Sequence, residues 1–374
     1  LLSQSVERRE QFVNQLPKVM VLDTLKDTRE TFILTGGVYD KPGQNVTPGV
    51  PASLPPLPAD TPEDRLGLAE WLLLDENPLT ARVVVNRYWQ LFFGKGLVTT
   101  SEDFGTQGQR PSHPKLLDWL AADFRRSDWD VKRLHRLIVT SATYRQSSRM
   151  TPAQREADPS NRWLGRGPRY RLPSWMLRDQ ALAVSGQLVE RIGGPSVKPY
   201  QPENIWREAT FGKKKYVVDS GEKLYRRSLY TFWRRIVGPT MFFDTSSRQT
   251  CHVTGSVTNT PLHALTTLND VTFVEAARAL AERVMLRHPT DPGAQLALAF
   301  QLATARQPTA RELQLLTDRY RVVNEMFATH PGEALKLLEV GDSLRSPSLD
   351  PVAHASCTAI CLLILNLDET LTKE

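Results

Sequence analysis

The side chains best suited to proton transfer lie close together in the chain: Glu102, Asp103 and His113, in a loop that also holds Gly105, Gln107 and Gly108. Two carboxylates and an imidazole that titrates near neutrality are the types that general acid–base chemistry uses. Asp103 and His113 are therefore the candidate catalytic residues. Each also has a plainer reading. Asp103 precedes Phe104 and Gly105, where a carboxylate commonly closes a turn. His113 stands before Pro114 in the first turn of a helix, where an imidazole can hydrogen-bond a neighbouring loop.

A second concentration of chemistry is cationic. Between Lys213 and Arg248 nine basic residues stand against Asp219, Glu222 and Asp244, a net of +6 that equals the formal charge of all 374 residues. Tyr216, Tyr225, Tyr230, Phe232 and Trp233 are interleaved with them. Guanidinium forks beside aromatic faces suit carboxylate, sulfate or phosphate groups on a ring or polymer. The candidate ligand-binding residues are Arg226, Arg227, Arg234, Arg235 and Trp233, with Gln107 from the first loop. The bland alternative is that strand alternation leaves these arginines in solvent or in ion pairs. No nucleic-acid-reading module is visible, so nucleic acid is not expected as a partner.

Other pairs are weaker. Arg178 with Asp179, and Asn86 with Arg87, read first as architectural pairs. Asp244 with Cys251 and His252 could form a small polar cluster, but neighbours on a strand point apart, which argues against a nucleophilic dyad. Cys357 and Cys361 share a helix face and read as core thiols, and no metal site is expected. No CxxCH occurs, so the chain is expected to hold no cofactor of its own. There is no G-x-S-x-G, P-loop, H-E-x-x-H or G-x-G-x-x-G motif.

The elements that must position these groups read mostly as helices. Asn77 is placed to cap a helix with Pro78 at its first position, Val84, Tyr88, Leu91 and Phe92 form its apolar stripe, and Gly94 ends it. Arg82, Arg87 and Gln90 fall off that stripe. Ser112 can cap a second helix that turns Leu116, Leu117 and Leu120 to the core. Further helices are expected at 1–16, from Thr61 through 65–75, and at 130–142, 174–192 (ended by Gly193), 270–287, 294–304, 309–329 and 353–367. Thr309 and Glu312 have capping-box spacing. Thr31 to Leu34 reads as a short strand before Gly36 and Gly37. Residues 216–218 and 224–233 read as a hairpin around Asp219, Ser220, Gly221 and Glu222.

The expected fold is mainly α: a multi-helix globular domain at 61–374 with a small β-hairpin. Residues 1–60 form an extended, Pro-rich connector or the end of a preceding domain, since six prolines fall between Pro42 and Pro58. With 40% hydrophobic and 24% charged residues, the composition is that of a soluble globular protein. No run reaches the roughly 20 apolar residues of a membrane span. The start at Leu1 reads as a piece of a longer chain.

Long motifs then point to a family. NPLTARVVVNRYWQLFFGKGLV, EDFGTQGQRPSHPKLLDWLA, SATYRQSS, YRRSLYTFWRR, TNTPLHALTTLND and the closing LNLDE resemble the C-terminal domain of large planctomycete proteins that carry cytochrome-c-type modules, catalogued as domain of unknown function 1553. The resemblance runs from about Arg65 to Glu369. It implies an extracytoplasmic module attached to N-terminal domains, with haem c, if any, in an attached domain. No established reaction comes with it. In one place the chain departs from the family, which usually has several arginines before TNTP; here Cys251 to Thr258 has none. The first functional reading is thus a module that mediates contact with attached domains, a partner or an anionic glycan. The second is an enzyme acting on a complex polysaccharide, sulfated or not, with Asp103 and His113 near Arg226 and Arg227. The third is a partner module of a c-type cytochrome.

Overall fold

The computed structural model describes residues 2–16, 19–23, 25, 29–234, 237–246, 251–255 and 257–373. These fall into two compact units, Leu1–Thr80 and Ala81–Glu374. In the first, α1 (Leu2–Gln15) is the polar helix the sequence implies. β1 (Thr31–Leu34) pairs antiparallel with β2 (Pro42–Val46) to make a small hairpin. Gly36 and Gly37, at φ 62° and 73°, supply the left-handed backbone at that turn. α2 (Arg65–Leu72) opens on Asp64, whose carboxylate accepts from the amides of Leu66 and Gly67 at 2.8 and 3.0 Å. Asn77 Oδ1 accepts from the amides of Leu79 and Thr80 and so leads into the next helix, as its position predicts.

The rest of the described chain is helical with one further pair of short strands. In order it forms α3 (Thr80–Phe93), α4 (Pro114–Arg126), α5 (Val131–Thr140), α6 (Pro152–Ala157), β3 (Tyr170–Arg171), α7 (Ser174–Ser185) and α8 (Ile205–Ala209). Then come α9 (Pro261–Asn269), α10 (Val271–Arg287), α11 (Pro292–Thr304), α12 (Ala310–Thr329), α13 (Pro331–Leu338), α14 (Pro351–Leu365), α15 (Asp368–Leu371) and β4 (Thr372–Lys373). The fold is mainly α, as expected, with two small two-stranded antiparallel sheets among the described residues. No helix of the described residues is long and apolar enough to cross a membrane.

Two apolar clusters hold the second unit. The larger centres on α10 and α14, which are apolar on most sides and are covered by α7, α11, α12 and α13. Leu280, Val284, Ile360 and Ile364 are wholly buried there, as are Cys357 and Cys361, which are free thiols in the core. The smaller joins α3, α4 and α5 through Val85, Trp89, Phe93, Leu117, Phe124 and Ile138. Helix starts are fixed by local carboxylates: Asp130 caps α5, Asp270 caps α10, Asp350 caps α14, and Thr309 with Glu312 completes both halves of a capping box on α12. The C-terminal strand closes the unit. β4 pairs antiparallel with β3, and the Lys373 ammonium lies 4.8 Å above the Tyr144 ring.

Four expectations are corrected. The buried stripe of α3 is Ala81, Val85, Asn86, Trp89 and Phe93, one residue out of phase with the expected one; Val84, Tyr88 and Phe92 pack at its edge, and Leu91 is 58% exposed. The residue that opens α4 is His113, with no side-chain cap; the Ser112 hydroxyl instead meets His113 Nδ1 at 3.0 Å. α7 ends at Gly186, φ 83°, seven residues before Gly193. The expected hairpin at 216–233 does not form. Two 3-10 turns, Gly221–Tyr225 and Ser228–Tyr230, replace its second strand. That stretch runs beside 189–198 instead, with isolated parallel bridges of Val189 to Arg226 and Val197 to Thr231.

The physical cause of this last departure is a buried clamp. Arg178, fully buried on α7, donates to the carbonyls of Leu224 and Arg226 at 2.7 and 2.8 Å and to the Ser228 hydroxyl at 3.2 Å. Asp179 accepts from the Ser228 amide and hydroxyl at 2.7 and 2.6 Å. Backbone groups held this way are not available to a strand partner. Arg178 and Asp179 are architectural, as read.

Candidate functional site

The acid–base loop is wound tightly on itself. Asp103 Oδ1 accepts from the Gly105 amide at 2.7 Å, its carbonyl accepts from Thr100 Oγ1 at 2.9 Å, and a Cβ on Gly108 would lie 2.1 Å from that carbonyl. Asp103 is thus a turn former. The Glu102 carboxylate accepts from the Thr254 hydroxyl at 3.4 Å, and Gln107 is exposed. Asn86 fastens the start of the loop: its Oδ1 accepts from the Val98 amide at 2.8 Å and its Nδ2 donates to the Val98 carbonyl at 3.0 Å. Gly96 is obligatory there, since a Cβ would come within 2.5 Å of the Asn86 amide.

The arginine-rich segment divides between a buried arginine and exposed ones. Arg226 is buried, and its guanidinium donates to the carbonyls of Arg191 and Gly193 at 2.7 and 2.6 Å while lying 3.8 Å above the Tyr230 ring. It organises the 191–195 turn. Trp233 stacks on Phe242, with centroids 6.0 Å apart. Arg227 and Arg234 are exposed, and Arg235 lies outside the described residues. Asp244 caps the Thr258 amide at 2.6 Å and stands 3.8 Å from His263 Nε2, whose ring stacks on Phe243.

The structure gathers charge elsewhere. A cleft of about 990 Å³ opens within the second unit between the end of α3 with its following loop and the stretch from Ser148 to Tyr170. Lys95, Arg110, Arg149, Arg155, Arg162, Arg166 and Arg169 line it, and none of the described residues lining it is acidic. Glu156 lies in an adjoining depression with Arg155. Two of the cations are already engaged: Arg166 donates to the carbonyls of Asp158 and Pro159 at 3.0 and 2.9 Å, and Arg169 pairs with Asp368. Lys95, Arg110, Arg149, Arg155 and Arg162 are exposed and make no ion pair among the described residues. The floor is apolar and aromatic. Trp89 and Phe93 stack 4.1 Å apart, and Tyr170 packs where only Gly94 leaves room. Burial, aided by Tyr144, lifts the Tyr170 phenol to about 12, so it stays protonated and donates to the Leu91 carbonyl at 2.6 Å.

One loop presents much of this charge. Asp158 accepts from the amides of Arg162 and Trp163, both at 2.8 Å, Asn161 Nδ2 donates to the Arg166 carbonyl, and Gln146 Nε2 donates to the Leu164 carbonyl. Burial raises the Asp158 carboxyl, but those two amides, the Arg166 charge and Ser160 outweigh it and hold it below the usual Asp value. The anchor is therefore complete above the unfolded-state value and is lost as pH falls through the lower folded value. In the difference between wild type and Trp163→Phe, Trp163 fluorescence should report loop opening with a midpoint below the ordinary Asp value of about 3.9. A midpoint at or above that value would show that Asp158 does not hold the loop.

Among the described residues expected from sequence to form a site, none lines this cleft, and His113 comes near it through its neighbours. Its neighbour Ser112 lines the cleft, and its ring meets Trp163 edge-on at 6.1 Å. Asp103, Gln107, Arg226, Arg227, Arg234 and Trp233 are not among the lining residues. The overlooked signal is the run of arginines from Arg149 to Arg169, masked in sequence by Glu156 and Asp158. No group of His, Cys, Asp and Glu among the described residues is arranged to hold a metal ion. A family model described as PSD1: Protein of unknown function (DUF1553) matches residues 64–320, well over half of the chain. No curated protein and no solved structure matches.

Proposed function

We propose a binding role for this chain, which belongs to the DUF1553 family of proteins of unknown function: the Ala81–Glu374 unit takes up a polyanionic ligand in its cationic cleft. The observation that carries this reading is the cleft's charge, seven basic side chains and no acidic one among the described residues lining it. Five of them are exposed and make no ion pair among the described residues, so their charge is available to a ligand. The volume of about 990 Å³ is at the top of the range of about 300–1,000 Å³ for small-molecule sites. A single inorganic anion would leave most of it empty. Several anionic groups on one chain would meet cations on both walls, and Arg forks favour carboxylate, sulfate and phosphate oxygens.

The role is one of holding rather than of acid–base turnover, since none of the described residues lining the cleft carries a carboxylate or an imidazole. The proposal includes a setting: a module of a longer extracytoplasmic protein, whose attached domains or partner act on the ligand held here. Calorimetric titration with dextran sulfate, inorganic polyphosphate and neutral dextran tests the reading. The charged polymers are expected to bind at low ionic strength and to weaken as the screening length falls from roughly 10 Å at 0.1 M salt to 3 Å at 1 M. Neutral dextran is expected not to bind. Absence of binding to every polyanion at low salt would overturn the role.

A further inference from the structure

Resting on the polyanion-binding role, we infer that the ligand is an acidic polysaccharide whose sugar rings pack on Trp163, which is not itself a lining residue but stands between the lining residues Arg162 and Leu164, and that Trp163 is a specificity-determining residue beside the cleft. Trp163 is 61% exposed, which for an indole is a large apolar surface left in water. It is also held in place. Its backbone amide is bonded to the Asp158 carboxylate at 2.8 Å, the Arg162 guanidinium lies 5.4 Å from its ring centroid, and the His113 ring abuts it edge-on. An aromatic ring held at its backbone, with Arg162 over it and most of its surface still in solvent, can take the apolar face of a sugar while arginines take its acidic substituents.

The neutral lining favours the same class. Thr99, Gln109, Ser112, Ser148, Ser160 and Asn161 line the cleft between the cations. Hydroxyl and amide side chains both donate and accept, so they complement ligand hydroxyls, which polyphosphate lacks. A single-stranded nucleic acid would want a row of open aromatic faces for successive bases. The other aromatics here do not supply one: Trp89 and Phe93 are buried, and the Tyr170 ring packs against Gly94. One exposed ring among hydrogen-bonding groups and separated charges fits a chain of sugars better than a stack of bases.

The test compares dextran sulfate, polyphosphate and an oligothymidylate of similar charge on wild type, Trp163→Ala and Trp163→Phe. Because Trp163 is largely exposed, its replacement should leave the unfolding midpoint unchanged, which a urea titration verifies. Removal of the stacked ring should weaken dextran sulfate about tenfold, in line with the cost of deleting one aromatic platform. Trp163→Phe should restore most of it, and polyphosphate should change less than about twofold because it has no ring to stack. Equal weakening for dextran sulfate and polyphosphate, or none for either, would overturn the sugar-binding inference while leaving the polyanion role standing. Tighter binding of the oligothymidylate than of dextran sulfate would also overturn it. Failure of all three polymers to bind wild type would instead remove the role on which the inference rests.

Discussion

Glu275→Ala is expected to cost ~3–5 kcal/mol of unfolding free energy, the usual penalty for breaking a buried ion pair by removing one partner. Glu275 is almost wholly buried on α10. Its carboxylate accepts from the hydroxyls of Tyr200 and Tyr225 at 3.0 and 2.8 Å and from the amide and hydroxyl of Ser343, both at 2.7 Å. The Arg278 guanidinium stands 3.6 Å away and is itself buried. Removing the carboxylate takes the counter-charge from that cation, which keeps its bonds to the Ser343 carbonyl and hydroxyl, and takes the acceptor from four donors at once, in surroundings where each unmet group costs free energy. Burial and Glu275 together push the Tyr225 phenol up to about 12, and Tyr200 is raised further, so both remain donors across the working pH range. The backbone is moulded to this carboxylate: Gly341, at φ 96°, passes so close that a Cβ would lie 2.2 Å from the Glu275 carboxyl carbon. Glu275→Gln keeps the shape and some acceptor capacity and is expected to cost less, ~1.5–3 kcal/mol. Urea unfolding of both variants checks the order. A destabilisation below ~1 kcal/mol for the alanine variant would mean that the network does not hold the 341–343 turn to α10.

Such networks mark the limit of what the sequence discloses. The caps at Asn77 and Thr309–Glu312 were legible because each is a bond between residues at most three apart. The apolar terminal helix was legible from composition. The 216–233 region misled for the opposite reason. Its period-two burial is real, with Leu224, Arg226 and Ser228 inside, but it comes from two 3-10 turns clamped by Arg178, some fifty residues earlier in the chain. Nothing local distinguishes that from a strand. In α3 the run VVVNRYWQLFF contains apolar residues on nearly every face, so the stripe could be misplaced by one residue until α4 and α5 decided which side was covered. The candidate site was hidden by dispersion. Five of its cations lie between Arg149 and Arg169, where Glu156 and Asp158 dilute the excess, and Lys95 and Arg110 join them only through folding.

The triple variant Arg110→Ala, Arg155→Ala, Arg162→Ala should weaken dextran sulfate binding roughly a hundredfold at low salt, at ~1 kcal/mol for each exposed charge-assisted hydrogen bond removed. The three come from separate places, the loop before α4, α6 and the Asp158–Tyr170 loop, so together they disarm both walls. All are exposed, and none makes an ion pair among the described residues, so the unfolding free energy should move by less than ~0.5 kcal/mol. The salt dependence should flatten as well, because fewer cations remain for added salt to screen. The decisive comparison is with Arg227→Ala, Arg234→Ala, the exposed arginines of the segment that composition alone would favour. Those two do not line the cleft, and their replacement is expected to change affinity by no more than about twofold, the scale of a surface charge acting at a distance. Should the double variant abolish binding while the triple variant keeps it, the anion-binding face is the arginine-rich segment and the cleft assignment is wrong. Equal weakening in both would mean that net charge, and no built site, governs the interaction.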